Sequence, residues 1–151
     1  MTTDDGYRQI EYLDLLNFLR AVDSLFPIPI SQKTDLQEYS KKLLQYADII
    51  PYRRDNMLCG VIAGYITHSK DEMAYVSFVA VLAHDQGMGI GTQLVRSFIS
   101  KAEKERKKGV HLYAVQNNEA AMTMYKTLGF QEYKEKEEQR PNDVHLVYWL
   151  E

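Results

Sequence analysis

Val79-Ala80-Val81-Leu82-Ala83-His84-Asp85-Gln86-Gly87-Met88-Gly89-Ile90-Gly91 is the stretch on which the fold turns. Upstream of it, Met73 to Val81 is a nearly unbroken apolar and β-branched run, the pattern of a central strand buried on both faces. Downstream, Ile90, Leu94, Val95, Phe98, Ile99 and Ala102 recur at helical spacing. The glycines therefore join a buried strand to a helix N-terminus. Such a terminus offers unpaired N–H groups and a partial positive charge, which together favour phosphate. Glycine lets the backbone approach phosphate oxygens and take positive φ where the turn needs it. Three glycines at alternate positions exceed what a plain turn requires, although a purely structural strand–helix turn stays open on this segment alone. A lysine-bearing P-loop is excluded, because Gly91 is followed by Thr92-Gln93. A dinucleotide fingerprint fits badly too: Thr92 replaces its third glycine, and the next strand ends Val115-Gln116-Asn117 without an acidic residue.

Outward from the loop, Tyr12, Leu15, Leu16, Leu19, Val22 and Phe26 mark a first helix, stopped by Pro27 and Pro29. Thr34 or Asp35 can cap a second helix, whose stripe is Leu36, Tyr39, Leu43, Leu44 and Ala47. Pro51 separates this helix from the strands. Met57 to Thr67 reads as a strand, and His68-Ser69-Lys70-Asp71 as its hairpin connection to Met73–Val81. The helix after the glycines ends in Lys104, Arg106, Lys107 and Lys108, with Gly109 as its stop; the interleaved Glu103 and Glu105 make this a helix end rather than a nucleic-acid patch. Val110–Val115 is a strand, Glu119–Leu128 a helix closed by Gly129, and Phe130–Lys136 and Val144–Leu150 are strands around a charged segment with Pro141. This succession of helices and strands implies an α/β (α+β) fold with a mixed sheet.

Bulk properties agree. The 151 residues suit one domain over 1–151, 45% hydrophobic and 26% charged. A net charge of -3 gives no reason to expect nucleic acid. No apolar run has transmembrane length and the start Met1-Thr2-Thr3-Asp4-Asp5 is not basic, so a cytoplasmic protein without membrane association is expected. The single cysteine, Cys59, lies in an apolar run and reads as a small buried hydrophobe; a Cys-rich metal site is excluded.

A second constellation lies downstream: Leu112-Tyr113-Ala114-Val115-Gln116-Asn117-Asn118-Glu119-Ala120-Ala121-Met122-Thr123-Met124-Tyr125-Lys126-Thr127-Leu128-Gly129-Phe130. With Gln86-Gly87-Met88-Gly89-Ile90-Gly91, it resembles the paired motifs of the GCN5-related N-acetyltransferases (GNAT): Gln/Arg-x-x-Gly-x-Gly/Ala, then strand, Asn, small residues, Tyr and a closing Gly-Phe. The resemblance covers Val61 to Phe130 well, the final strands loosely and the N-terminal helices poorly. It implies a GNAT-like, mostly antiparallel sheet flanked by helices, with splayed central strands, and acetyl-CoA as acyl donor. By resemblance, the backbone of Ala80 and Val81 pairs with the pantetheine arm. Gln86, Gly87, Met88, Gly89, Ile90, Gly91 and Thr92 hold the pyrophosphate. Asn118 matches the asparagine that contacts the cofactor or fixes the splay. Tyr125 matches the tyrosine beside the thioester sulfur, which protonates the leaving thiolate; a phenol suits that task. Each has a plainer role as well, Asn118 as a helix N-cap and Tyr125 as a core aromatic.

Direct transfer needs a neutral amine, and no base stands out. The glutamate that some relatives carry on the strand before the loop is missing from Tyr75-Val76-Ser77-Phe78-Val79. Glu72 reads as a hairpin residue, and His84, His111 and His145 are candidates only by their ordinary pKa. For the acceptor, Leu25–Tyr39 and Lys134–Asp143 are the expected walls, with Phe26-Pro27-Ile28-Pro29-Ile30 as a stiff apolar rim or a packed connection. Glu135, Glu137 and Glu138 suit a cationic amine, whereas Arg53 and Arg54 suit an anionic acceptor. The family's first strand has only Gly6–Gln9 to occupy. The expected activity is transfer of acetyl to a primary amine of a small molecule, amino sugar or peptide; the alternative is a non-catalytic acyl-CoA-binding module of the same fold. A homodimer is compatible with either.

Overall fold

The computed structural model describes residues 10–134 and 142–150. Gly6–Gln9, the only room before the first helix for the family's first strand, and Glu135, Glu137 and Glu138 lie outside them. Helix α1 (Tyr12–Val22) buries Leu15, Leu16, Phe18, Leu19 and Val22. Helix α2 (Leu36–Tyr46) starts where Asp35 accepts hydrogen bonds from the Gln37 and Glu38 amides, at 2.8 and 3.1 Å. Strands β1 (Asp48–Arg54), β2 (Met57–Tyr65) and β3 (Met73–Val81) follow, then α3 (Ile90–Lys104), β4 (Gly109–Val115), α4 (Glu119–Leu128), β5 (Gln131–Glu132) and β6 (Asp143–Trp149).

The sheet order is β1-β2-β3-β4-β6-β5, and every neighbouring pair is antiparallel except β3–β4. One core lies between the sheet and α3 and α4, around Ile62, Leu94, Phe98, Val110 and Leu146. The other lies under α1 and α2, around Leu15, Leu19, Leu43, Val61 and Phe78.

Several bounds differ from the sequence reading: Asp48–Arg54 is a strand not named there, β5 spans Gln131–Glu132 where Phe130–Lys136 is expected, and two stops fall elsewhere. Pro51 does not separate α2 from the sheet but sits within β1, opposite Val61. An edge strand tolerates proline because its outward N–H needs no partner. Gly109 does not stop α3 either. Arg106 takes the left-handed turn at φ 60°, while the amides of Arg106 and Lys107 bond the carbonyls of Glu103 and Ala102, both at 3.0 Å. Gly109 opens β4, where a Cβ would lie 2.7 Å from the Tyr148 carbonyl oxygen. The basic residues after the helix are structural: Lys107 Nζ donates to the carbonyls of Ser69 and Asp71, and Lys108 pairs with Glu72.

Strand β3 carries a bulge. Ala63 faces Phe78 and Gly64 faces Val76, so Ser77 is left without a partner. The bulge reverses the alternation of the strand. Ala74 and Val76 pack into the α3 core, Phe78 into the α1–α2 core, and Val79 and Val81 again against the α3 core.

Candidate functional site

The site begins where β3 and β4 part. They pair only from Met73–Gly109 to Tyr75–His111, and beyond Tyr75 the β4-facing edge of β3 has no strand beside it among the described residues. This is the splay the sequence led us to expect. The Leu82 amide donates to the Cys59 carbonyl of β2 at 2.9 Å. By the two-residue alternation of an antiparallel ladder, the backbone groups of Ala80 also point to β2, and those of Val79 and Val81 point into the gap. Of the two residues expected to pair with an extended arm, Val81 turns its backbone into the gap and Ala80 turns its backbone to β2; Val79 shares the gap with Val81, and the Ala80 side chain borders the groove. The Val81 carbonyl accepts from Gln86 Nε2 at 3.2 Å.

The gap runs into the glycine loop. Gly87 and Gly89 hold φ of 85° and 81°, and Gly89 is the N-cap of α3. Those values belong to the left-handed region, which is why glycine is needed here. No side chain caps α3, and its first intrahelical bond runs from the Gln93 amide to the Gly89 carbonyl at 3.0 Å. The amides of Ile90, Gly91 and Thr92 are thus left for an external acceptor, with the helix dipole behind them. Gln86, Gly87, Gly89, Ile90, Gly91 and Thr92 border a cavity of about 450 Å³ that Val79, Val81, Asn118 and Met124 continue; Met88 points to solvent instead.

A second cavity of about 810 Å³ adjoins the first. Phe26, Pro27, Val79, Asn118, Ala121 and Met124 border both, and this shared band forms the waist between them. The far walls of the second cavity are Ile28, Ile30 and Tyr39 on the α1–α2 side and Tyr75, Ser77, Tyr113 and Asp143 on the sheet. Of the segment Phe26–Ile30, Phe26, Pro27, Ile28 and Ile30 line the second cavity, and Phe26 and Ile30 also pack against the α1–α2 core. Asn118 is an N-cap, accepting from the Ala121 amide at 3.3 Å, and it also stands at the waist. Tyr125 is 6% exposed, packs edge-on against Phe130, and borders the larger cavity. Burial raises its pKa above the usual phenol value, so the hydroxyl stays protonated.

The candidate bases are not brought to the waist. His84 is exposed on the turn Ala83–Asp85, 3.4 Å from Asp85. Glu72 is exposed beside Lys108. His111 Nδ1 and His145 Nε2 lie 2.9 Å apart, behind Tyr75 and Tyr113, with the His145 ring stacked on Tyr113 at 4.5 Å. Arg53 and Arg54 do not enter the acceptor side: Arg53 binds Asp14 on α1 at 3.0 Å, and Arg54 binds Asp85. Burial pushes the Cys59 thiol up, in keeping with an inert hydrophobe. Tyr39 ends the segment expected as a wall, whereas the sequence reading does not single out Ser77, Tyr75 and Tyr113 as lining residues. The alternation of β4 could have found Tyr113, but the Ser77 bulge has no sequence signal.

Comparison with known proteins fits this geometry. Residues 16–130 match the model of the acetyltransferase (GNAT) family. The chain is 26% identical over 111 residues to N-alpha-acetyltransferase 30 of Schizosaccharomyces pombe, covering 68% of this chain and 74% of that one. Among solved structures, ribosomal-protein-alanine N-acetyltransferase from Brucella melitensis superposes with a TM-score of 0.74 at 17% identity, over 95% and 98% of the two chains. Arabidopsis thaliana NAA60 in complex with acetyl-CoA gives 0.71 at 18% identity, again over 95% and 98%. At such identities the two structures speak for the fold.

Proposed function

The chain belongs to the acetyltransferase (GNAT) family, and we propose that it moves the acetyl group of acetyl-CoA to the α-amino end of a peptide. One observation carries the cofactor half: an unpaired β3 edge leads directly into a helix N-terminus that no side chain caps. An extended amide chain can pair with Val79 and Val81 while a pyrophosphate meets the amides of the glycine loop. The donor set consists of backbone N–H groups, which suits a polyanion. The acceptor half is supported by the similarity to N-alpha-acetyltransferase 30 and by a cleft of about 810 Å³, more than a simple amine would fill.

In this reading the neutral amine enters past Tyr39, Tyr75 and Tyr113 and attacks the thioester carbon at the waist. A C–N bond forms, the C–S bond breaks, and the amine proton leaves into the open cleft. Tyr125 supplies a proton to the departing sulfur and is reprotonated through the cleft, so that the proton lost by the amine balances the one the sulfur gains. Its burial raises the phenol pKa, but the same desolvation raises the proton demand of a thiolate leaving into that pocket. The Tyr125 hydroxyl therefore stays matched to its partner.

The test is thiol release from acetyl-CoA against a panel of free peptides, N-blocked peptides, amino sugars and polyamines, alongside calorimetric titration of acetyl-CoA. Turnover is expected on free peptides alone. Turnover confined to another amine overturns the acceptor assignment, and binding without turnover on any amine favours a non-catalytic module.

A further inference from the structure

Asp85 is a buried carboxylate at the very start of the phosphate loop, bordering the cofactor cavity, and acetyl transfer makes no use of it. A carboxylate beside a site for a polyanion is electrostatically adverse, so its presence calls for a reason. The sheet supplies one. Strands β1 and β2 are joined by Asp55-Asn56, both at positive φ (53° and 66°), the tight two-residue hairpin turn. That turn fixes Arg54 at the last paired position, opposite Met57. Neighbouring strand residues point to opposite faces: Arg53 goes to Asp14 of α1, and Arg54 to the phosphate loop. There one guanidinium nitrogen, Nη2, binds Asp85 Oδ1, and the other, Nη1, donates to Met88 Sδ at 3.4 Å.

We propose that Arg54 and Asp85 form a latch that holds the Gln86–Gly91 loop in its phosphate-binding shape, with both acting as positioning residues. This inference rests on the proposed binding of acetyl-CoA at the glycine loop. Arg54 spans the loop from the residue before it to the residue between Gly87 and Gly89. The loop's left-handed glycines contribute no side-chain contacts of their own, since nothing lies within 4 Å of the Cβ position at either. An outside brace is what keeps such a segment from paying conformational entropy when it binds.

The test turns on a sign. Asp85→Asn removes a negative charge next to a polyanion, so simple electrostatics predicts tighter CoA binding. The latch predicts weaker binding, on the order of tenfold in Kd. Calorimetry with CoA on wild type, D85N, Arg54→Gln and R54K gives the readout. NMR titration with acetyl-pantetheine, which lacks the pyrophosphate, is the companion measurement. Weaker CoA binding in D85N and R54Q, part-recovery in R54K and unchanged acetyl-pantetheine affinity support the latch. Unchanged or tighter CoA binding in D85N overturns it, as does an equal loss for both ligands. Should D85N fail to fold, R54K carries the test: it keeps the positive charge at this half-exposed position but cannot hold Asp85 and Met88 together, so wild-type CoA affinity in R54K overturns the latch. A wild-type protein that binds acetyl-pantetheine but not CoA, or neither, contradicts the cofactor reading itself.

Discussion

The Tyr39 hydroxyl lies 3.0 Å from Ser77 Oγ, a bond that ties α2 to the unpaired bulge residue of β3. Burial raises the pKa of Tyr39, opposed in part by the Ser77 hydrogen bond. The pair borders the second cavity, on the side of the waist away from the glycine loop, where the proposed acceptor would enter. Tyr39→Phe is expected to cost about 1 kcal/mol of stability, the usual worth of one such bond. It should raise KM for the acceptor while leaving the Kd of acetyl-CoA unchanged. Steady-state kinetics in both substrates checks this, and a parallel loss of acetyl-CoA affinity would mean that the two cavities do not separate the ligands.

Tyr125→Phe should lower kcat by about 10²-fold, the low end for a proton donor, with acetyl-CoA affinity nearly intact. Because burial moves the Tyr125 pKa upward from 10.0, its hydroxyl is protonated at every pH below 10. The wild-type rate should therefore show no alkaline loss below pH 10 that disappears in the Phe variant. Such a limb, or an unchanged kcat, would reduce Tyr125 to a packing residue.

Asp48 tests how the sheet is tied to α3. Burial alone would raise its pKa, but the Thr67 and Ile66 amides at 2.9 and 2.8 Å, the Thr67 hydroxyl at 2.7 Å and Lys101 at 3.0 Å outweigh it, and the net shift is downward. A depressed carboxyl adds stability above its unfolded value near 3.8 that disappears as pH falls through the lower folded value. Asp48→Asn should cost about 2 kcal/mol near neutrality, as charged hydrogen bonds are lost. It should also flatten the acid limb below pH 4. Denaturant titrations across pH check both, and an equally steep acid limb in the variant would assign acid sensitivity elsewhere.

Much of this was legible in the sequence where the signal is local. Asn118 and Gly129 bracket α4 because a cap and a left-handed stop are chemical properties of those residues. The strand, glycine loop and helix of the cofactor site were readable for the same reason. Pro51 was misread because a proline's effect depends on whether its strand is an edge, which is a tertiary fact. That Val79 rather than Ala80 turns its backbone into the gap is likewise set by which neighbour each amide faces. The bulge at Ser77 leaves no pattern in a strand that is apolar throughout. Arg54 and Asp85 are 31 residues apart, and the pairing of β1, β2 and β3 brings them together.

The most direct measurement of the cofactor site is a calorimetric titration of acetyl-CoA into wild-type protein and Gly89→Glu. A Cβ at Gly89 meets nothing within 4 Å, so the variant should fold, with about 1–2 kcal/mol of left-handed strain. Its carboxylate would nevertheless stand at the N-terminus of α3 among the amides assigned to the pyrophosphate. Saturable binding to wild type and none to the variant is the expected result. Binding to Gly89→Glu at wild-type affinity would contradict the site.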